Sequence, residues 1–283
     1  MRIHVIQTGT VAIKQRQVHG VGHGFQRRLN TLLDSHWTEP LPIYVWVIEH
    51  PEGAIVVDTG ETARVAEPGY FPWWHPYFRF GLREWVRPEE EVGPQLRALR
   101  IEPSDVRWLV MTHLHTDHAG GLAHFPNVEI LLSRTEYQLA SGWQGQARGY
   151  LPEHWPSWFA PRFVAFTSPA FGPFPVSHIL TQAADVLLVP TPGHTPGHLS
   201  VMVLEDDHAI MLAGDTSYTQ QLMLDEVLDG VAPNDQVYRQ TSHRIHTYAQ
   251  QMSTVYLPTH DPDSAQRLAA RTTVAFPNTT TPS

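Results

Sequence analysis

The sequence predicts an α+β fold, a doubled β-sandwich covered by helices. Three observations lead there. A hairpin of apolar strands occurs in each half of the chain, which argues for antiparallel neighbours rather than a parallel doubly wound sheet. Each hairpin ends in an aspartate, at Asp58-Thr59-Gly60 and again at Gly214-Asp215-Thr216, a weak internal echo. Finally, 283 residues that are 42% hydrophobic and 17% charged suffice for one large domain with a substantial core, and no stretch looks like a linker.

Taken in order, residues 3–6 form a first strand, with Thr8-Gly9-Thr10 turning the chain into residues 11–13. Residues 14–40 are polar, rich in His, Arg and Gly, and without a clear period. They are expected to form a loop arm over a site or at a subunit contact. Residues 43–48 and 54–57 make a hairpin around the turn Pro51-Glu52-Gly53, and Asp58 at its end is expected to serve structure rather than catalysis.

Residues 68–88 carry eight aromatic side chains, Trp73, Trp74, Tyr77 and Phe78 among them, punctuated by prolines and following neither a strand nor a helix period. Such a stiffened apolar loop would wall a pocket or bury itself against a partner subunit. Residues 88–100 predict a helix with Glu89, Glu90 and Glu91 at its positive end and Val92, Leu96 and Leu99 as its apolar stripe. A strand from residue 107 follows, then another over 128–132. Ser133 and Glu136 then form the pattern of a capping box for a helix over 134–140.

Residues 142–162 repeat the aromatic and proline character and are expected to complete a substrate lid. Short strands are expected over 163–166, 176–180 and 186–189, and residues 190–198 form a rigid turn bearing His194 and His198. The second hairpin spans 199–204 and 208–213. Helices follow over 220–228 and 235–251, the second presenting Val237, Ile245 and Met252, then a strand over 254–257, a helix over 264–271 and a loose tail over 277–283.

Nineteen Lys and Arg against 28 Asp and Glu give a formal charge of -9 without long runs of one sign, which disfavours a nucleic-acid footprint. There is no cysteine, so disulfides, thiolate metal sites and cysteine nucleophiles are excluded. The first residues lack a signal-peptide pattern and no apolar run is long enough to span a bilayer, so a soluble cytoplasmic protein without stable membrane insertion is expected.

No fold needs the segment Met111-Thr112-His113-Leu114-His115-Thr116-Asp117-His118. His113 and His115 are two apart on extended chain and share a side, while Asp117 and His118 arrive as the chain turns. Imidazole with carboxylate suits zinc, iron, cobalt or manganese. His194, Asp215 and His260 lie at three further strand ends. Seven such side chains exceed the needs of one metal and suit two, with Asp215 able to bridge, which is the inventory of two-metal hydrolysis.

The pattern His-x-His-x-Asp-His, followed by a Gly-His-Thr histidine, a strand-end Gly-Asp and a late histidine, resembles the metallo-β-lactamase superfamily, with landmarks from Asp58 to His260. The resemblance implies an αββα sandwich of two mixed β-sheets flanked by helices, residues 1–283 forming one domain with aromatic insertions near 68–88 and 142–162. It implies that His113, His115 and His194 hold one divalent metal, that Asp117, His118 and His260 hold the other, and that Asp215 bridges them. Zinc is the first expectation, with cobalt, iron or manganese as alternatives.

Within that superfamily the chain is most similar to the N-acyl-homoserine lactone lactonases, through Thr112 to Gly121, the segment around His194 and Tyr218, three positions after Asp215. That similarity implies hydrolysis of a small-molecule lactone by a hydroxide bridging a dinuclear centre. Tyr218 would stabilise the oxyanion, and Asp117 would orient the hydroxide and protonate the leaving alkoxide. It also implies a homodimer. Another lactone, an ester, a phosphotriester or a thioester stays open as substrate, with a non-hydrolytic di-iron redox or metal-binding protein as a further alternative. His198 is expected to be structural, and no Gly-x-Ser-x-Gly elbow favours a serine route. The aromatic segments would either accommodate a long acyl tail or narrow the groove to short ones.

Overall fold

Twelve strands form two sheets in the computed structural model, which describes residues 1–276; the loose tail expected over residues 277–283 lies outside the described residues. In chain order the first sheet contains β1 (Arg2–Ile13), β2 (Leu41–Glu49), β3 (Ala54–Val57), β4 (Leu82–Trp85), β5 (Val106–Val110), β6 (Glu129–Leu132) and β7 (Arg162–Phe163). Their order in space is β4-β1-β2-β3-β5-β6-β7. The half from β4 to β3 is antiparallel and the half from β3 to β7 parallel.

The second sheet contains β8 (His178–Ile179), β9 (Val186–Pro190), β10 (Leu199–Leu204), β11 (Ala209–Gly214) and β12 (Thr254–Pro258), ordered β12-β11-β10-β9-β8. It is antiparallel except where β11 meets β12. Both sheets are therefore mixed, as expected.

Strands β2, β3, β5 and β9 to β12 are buried on both faces, and their sequences accordingly run apolar with little alternation. Trp46, Ile48, Val57 and Val110 from the first sheet meet Leu188, Val201, Leu212 and Leu257 from the second in the central layer. On the outer face of the first sheet, Val45, Val47 and Leu109 pack with Val92 and Leu96 of the helix Val92–Ala98. Outside the second sheet, Met202, Met211 and Tyr256 pack with Ile245, Tyr248 and Ala249 of the helix Asp235–Gln251. The layers are helix, sheet, sheet, helix, and each fully buried aliphatic side chain in them contributes about 1.5–3 kcal/mol.

Several local expectations need correction. Thr8-Gly9-Thr10 is not a turn but a bulge inside β1, where the register slips between Gln7 and Thr10 and Gly9 has φ +96°. A Cβ on Gly9 would lie 2.4 Å from the carbonyl oxygen of Trp85, so only glycine fits. The arm 14–40 contains the helices Gln15–Val18 and Gly24–Leu32. The packing of Gly24–Leu32 is polar, which is why no apolar period betrays it: the buried Arg27 donates to Asp235 and to the carbonyl of Ala232, and the Thr31 hydroxyl donates to the carbonyl of Arg16.

Residues 68–88 include the helix Pro76–Phe80 and strand β4, and residues 142–162 the helix Gly142–Gln146. The helix expected over 88–100 begins only at Val92, after the 3-10 turn Pro88–Glu90. Glu91 is instead a tie, accepting hydrogen bonds from Ala63 N at 2.8 Å and the Thr62 hydroxyl at 3.0 Å. The Ser133–Glu136 capping box does not form, because Glu136 is turned inward and fully buried. The helix expected over 220–228 is shorter, Gln220–Leu224. On Asp235–Gln251 the buried face is Tyr238, Thr241, Ser242, Ile245, Tyr248 and Ala249, while Met252 is exposed. No described helix is long and apolar enough to cross a membrane.

Candidate metal centre

The chain leaves β5 at Val110, and the loop beyond it carries His113 and His115 before the short helix Thr116–Ala119 brings Asp117 and His118 back over the strand end. Asp58, just past β3, sits in the left-handed region at φ +62° and directs its carboxylate into this loop. It accepts from Thr112 N at 2.7 Å, from the Thr112 hydroxyl at 2.8 Å and from His118 Nδ1 at 2.9 Å. His113 Nδ1 in turn donates to the Thr112 hydroxyl at 3.0 Å. One aspartate therefore fixes the ring orientation of two histidines, the structural role the sequence suggested for it.

The second sheet supplies the remaining donors from its strand ends. His194 follows β9 and donates Nδ1 to Asp229. His260 follows β12 and donates Nδ1 to the carbonyl of Pro42 at 2.9 Å. Asp215 follows Gly214, whose φ of +59° and closeness to His198, 2.5 Å from the site of a Cβ, both require glycine. His198 Nε2 accepts from Asp215 N at 3.0 Å, and its Nδ1 donates to Thr191 at 2.9 Å. It is a buried support for Asp215, as expected. Leu199 N donates across the seam to the carbonyl of Thr112, and Tyr44 N to that of Thr259.

With their outer nitrogens so engaged, the inner ones converge. His115 Nδ1 lies 3.0 Å from His113 Nε2 and 2.9 Å from His194 Nε2. His260 Nε2 is 3.2 Å from Asp117 Oδ2. Asp215 stands between the two groups, Oδ1 3.2 Å from His118 Nε2 and Oδ2 3.5 Å from His194 Nε2 and 3.4 Å from His260 Nε2. Donors of His113, His115 and His194, of His113, His118 and Asp215, and of Asp117, His118 and His260 each lie within 4.8 Å of one another.

Nitrogen ligands of one tetrahedral zinc stand about 3.3 Å apart, so this spacing suits shared cations. His118 Nε2 and Asp215 Oδ1 are buried and, beyond facing each other at 3.2 Å, make no hydrogen bond, which leaves both incompletely satisfied. Cations between them would satisfy both. Burial and the neighbouring imidazoles hold His115 down to about 3, in the neutral form that ligates. Burial opposes ionisation of Asp117, yet His118 and His260 hold it at about 2.

A cavity of about 90 Å³ opens onto these groups and is lined by His115, Asp117, Asp215, Tyr218 and His260, with Val11, Ile13 and Phe78 as apolar wall. It adjoins a larger one of about 580 Å³, with which it shares Tyr77, His115 and His194. The seven candidate donors singled out from the sequence converge beneath the smaller cavity, and Tyr218 lines it. The aromatic segment 68–88 contributes Tyr77, Phe78 and Leu82, and residues 142–162 contribute Arg148 and Tyr150.

Sequence reasoning missed four supports. Asp229 orients His194. Gln17 bonds the Tyr218 hydroxyl. Glu61 accepts from the Thr116 and Tyr70 hydroxyls, and Glu136 accepts from Leu114 N, Tyr150 and Thr195. The only signal was the misread pattern at Ser133–Glu136; the other three are isolated polar residues without a spacing to mark them.

The metallo-beta-lactamase superfamily pattern matches residues 38–260. An N-acyl homoserine lactonase AttM of Rhizobium radiobacter is 26% identical over 278 residues, covering 93% of this chain and 94% of that protein. The N-acyl homoserine lactonase AiiA of Bacillus thuringiensis subsp. kurstaki is 30% identical over 189 residues, 66% of this chain and 68% of its own. Among solved structures, an N-acyl homoserine lactone hydrolase with the product N-hexanoyl-L-homoserine at its catalytic metal centre superposes with a TM-score of 0.76 at 22% identity, over 93% of this chain and 94% of that one. The chain thus belongs to the metallo-beta-lactamase superfamily and is homologous to its N-acyl homoserine lactonases.

Proposed function

We propose that this protein hydrolyses the lactone ring of N-acyl-homoserine lactones at two divalent cations. In this reading His113, His115 and His194 hold one cation, Asp117, His118 and His260 the other, and Asp215 lies between them. The observation that carries it is the convergence of these donors, two of them buried and incompletely satisfied, beside the hydroxyl of Tyr218. The substrate class rests on the names of the relatives. Zinc is the first candidate for this nitrogen and oxygen donor set, which cobalt, iron and manganese also fit.

Bound cations would lower the pKa of a water between them and polarise the ester carbonyl. Tyr218 donates its O–H to the carbonyl oxygen as negative charge develops there. Asp117, ionised and at the cavity wall, takes up the proton of the attacking water and returns it to the leaving alkoxide. The apolar walls from β1 and the helix Pro76–Phe80 receive the acyl chain. Because donors come from both sheets, residues 1–283 act as one domain in this reading. A homodimer formed through the exposed Trp73, Trp74, Phe80 and Trp85, in the cytoplasm, belongs to the same proposal.

The test is the metal-loaded protein against acyl-homoserine lactones of graded chain length, simple lactones, an aryl phosphotriester, a thioester and a β-lactam. Ring opening of acyl-homoserine lactones above the metal-free control is the expected result. Turnover confined to the other substrates, or absent altogether, would overturn the assignment. Sedimentation velocity checks the dimer.

A further inference from the structure

Gln17 is almost fully buried on the short helix Gln15–Val18, with its backbone held by Lys14 and Gly230. Its Nε2 lies 2.9 Å from the Tyr218 hydroxyl and 3.0 Å from the Tyr77 hydroxyl. One amide nitrogen carries two hydrogens, and each is directed to one phenolic oxygen. A phenol that accepts in this way must point its own hydrogen elsewhere. Among the described residues neither hydroxyl has another protein partner, and both side chains line the cavity over the candidate metal centre.

Resting on the lactonase reading, we propose that Gln17 is a positioning residue that presents Tyr218 and Tyr77 as a pair of O–H donors to one substrate. Tyr218 serves the ring carbonyl, and Tyr77 the carbonyl of the acylamino substituent. Tyr77 thus becomes a specificity residue for lactones that carry an amide beside the ring. Burial pushes the Tyr77 phenol well above the ordinary tyrosine range, so it keeps its proton. Val11, Ile13 and Phe78 beside it are apolar, so Tyr77 is the side-chain donor on that wall of a cavity that Arg148 also lines, and its phenol adds discrimination of the size of one hydrogen bond.

The pairing also fixes a direction. With the amide nitrogen facing the phenols, an acceptor-only side chain at position 17 would draw both O–H groups away from substrate.

Two arms test this. In the first, calorimetry compares binding of a 3-acylamino-2-pyrrolidinone, a lactam that resists ring opening, with a 3-alkyl-2-pyrrolidinone of equal length, to the metal-loaded protein. Tyr77→Phe should weaken the acylamino probe by roughly three- to tenfold, a loss specific to that probe. Equal losses for both probes, or none, overturn the specificity role. In the second, lactone turnover by Gln17→Glu should fall further below wild type than that by Gln17→Met, with melting temperature and metal content recorded for each. Recovery in Gln17→Glu of activity lost in Gln17→Met overturns the positioning role. A wild-type protein that opens no lactone would refute the functional reading, while the binding arm still decides the role of Tyr77.

Discussion

His194 and Asp229 form a buried pair in which the imidazole Nδ1 donates to the carboxylate, 35 positions further along the chain. The second oxygen of Asp229 accepts from Val231 N at 2.8 Å, so the carboxylate is itself fixed. This pair sets which nitrogen of His194 faces the site and raises its strength as a ligand. Asp229→Ala should lower metal affinity by about 10–100-fold while leaving the fold intact. Metal retained after dialysis against a graded chelator measures this, and unchanged retention would remove Asp229 from the centre.

Ligand variants give a different signature. His113→Ala, His118→Ala and Asp215→Ala should each reduce bound metal together with activity, Asp215→Ala most, because its carboxylate faces both groups of donors. Metal stoichiometry by elemental analysis is the check. Two tightly bound ions in all three variants would defeat the coordination scheme.

Tyr218→Phe should instead leave the metal content alone. Loss of one oxyanion donor where a cation also polarises the carbonyl should reduce kcat by about 10–100-fold. A fall in kcat without a comparable rise in KM separates this role from simple binding. Equal kcat in the variant would exclude it.

The tie at Glu91 carries a pH dependence. Burial of the carboxylate favours its protonated form, but the bonds from Ala63 N, His124 and Thr62 outweigh this and hold it below the ordinary glutamate range. A depressed pKa in the folded state means stability present above the unfolded value and lost as pH falls through the folded one. Glu91→Gln should therefore cost about 1–2 kcal/mol at neutral pH, discounted for partial exposure, with the gap to wild type closing in acid. Urea unfolding of both proteins at pH 7 and pH 3.5 gives the comparison, and a gap independent of pH would contradict it.

Much of this architecture can be read from sequence, and the reasons for success and failure are physical. Strands such as Leu41–Glu49 and Leu199–Leu204 announce themselves because burial on both faces demands a continuous apolar run. The metal donors stand out because histidines and aspartates at strand ends have no packing reason to be there. Helices such as Gly24–Leu32 escape notice because Arg27 and Thr31 pack through hydrogen bonds rather than an apolar stripe. Glu136 misleads because the same side chain fits a helix cap locally and a buried acceptor for Tyr150 and Thr195 globally; the tertiary partners prevail. Asp229 and Gln17 act on residues far away in the chain, a relation that no local spacing records.

The candidate centre lies on the seam of the sandwich: His113, His115, Asp117 and His118 follow a strand end of one sheet, and His194, Asp215 and His260 follow strand ends of the other. Backbone bonds from Leu199 to Thr112 and from Tyr44 to Thr259 stitch the same line. A pair of cations there would act as a clasp between two separately woven fabrics. Metal occupancy would then register whether the sheets are docked, and the spectrum of a cobalt-substituted centre would follow tertiary assembly at a place where both halves of the chain must agree.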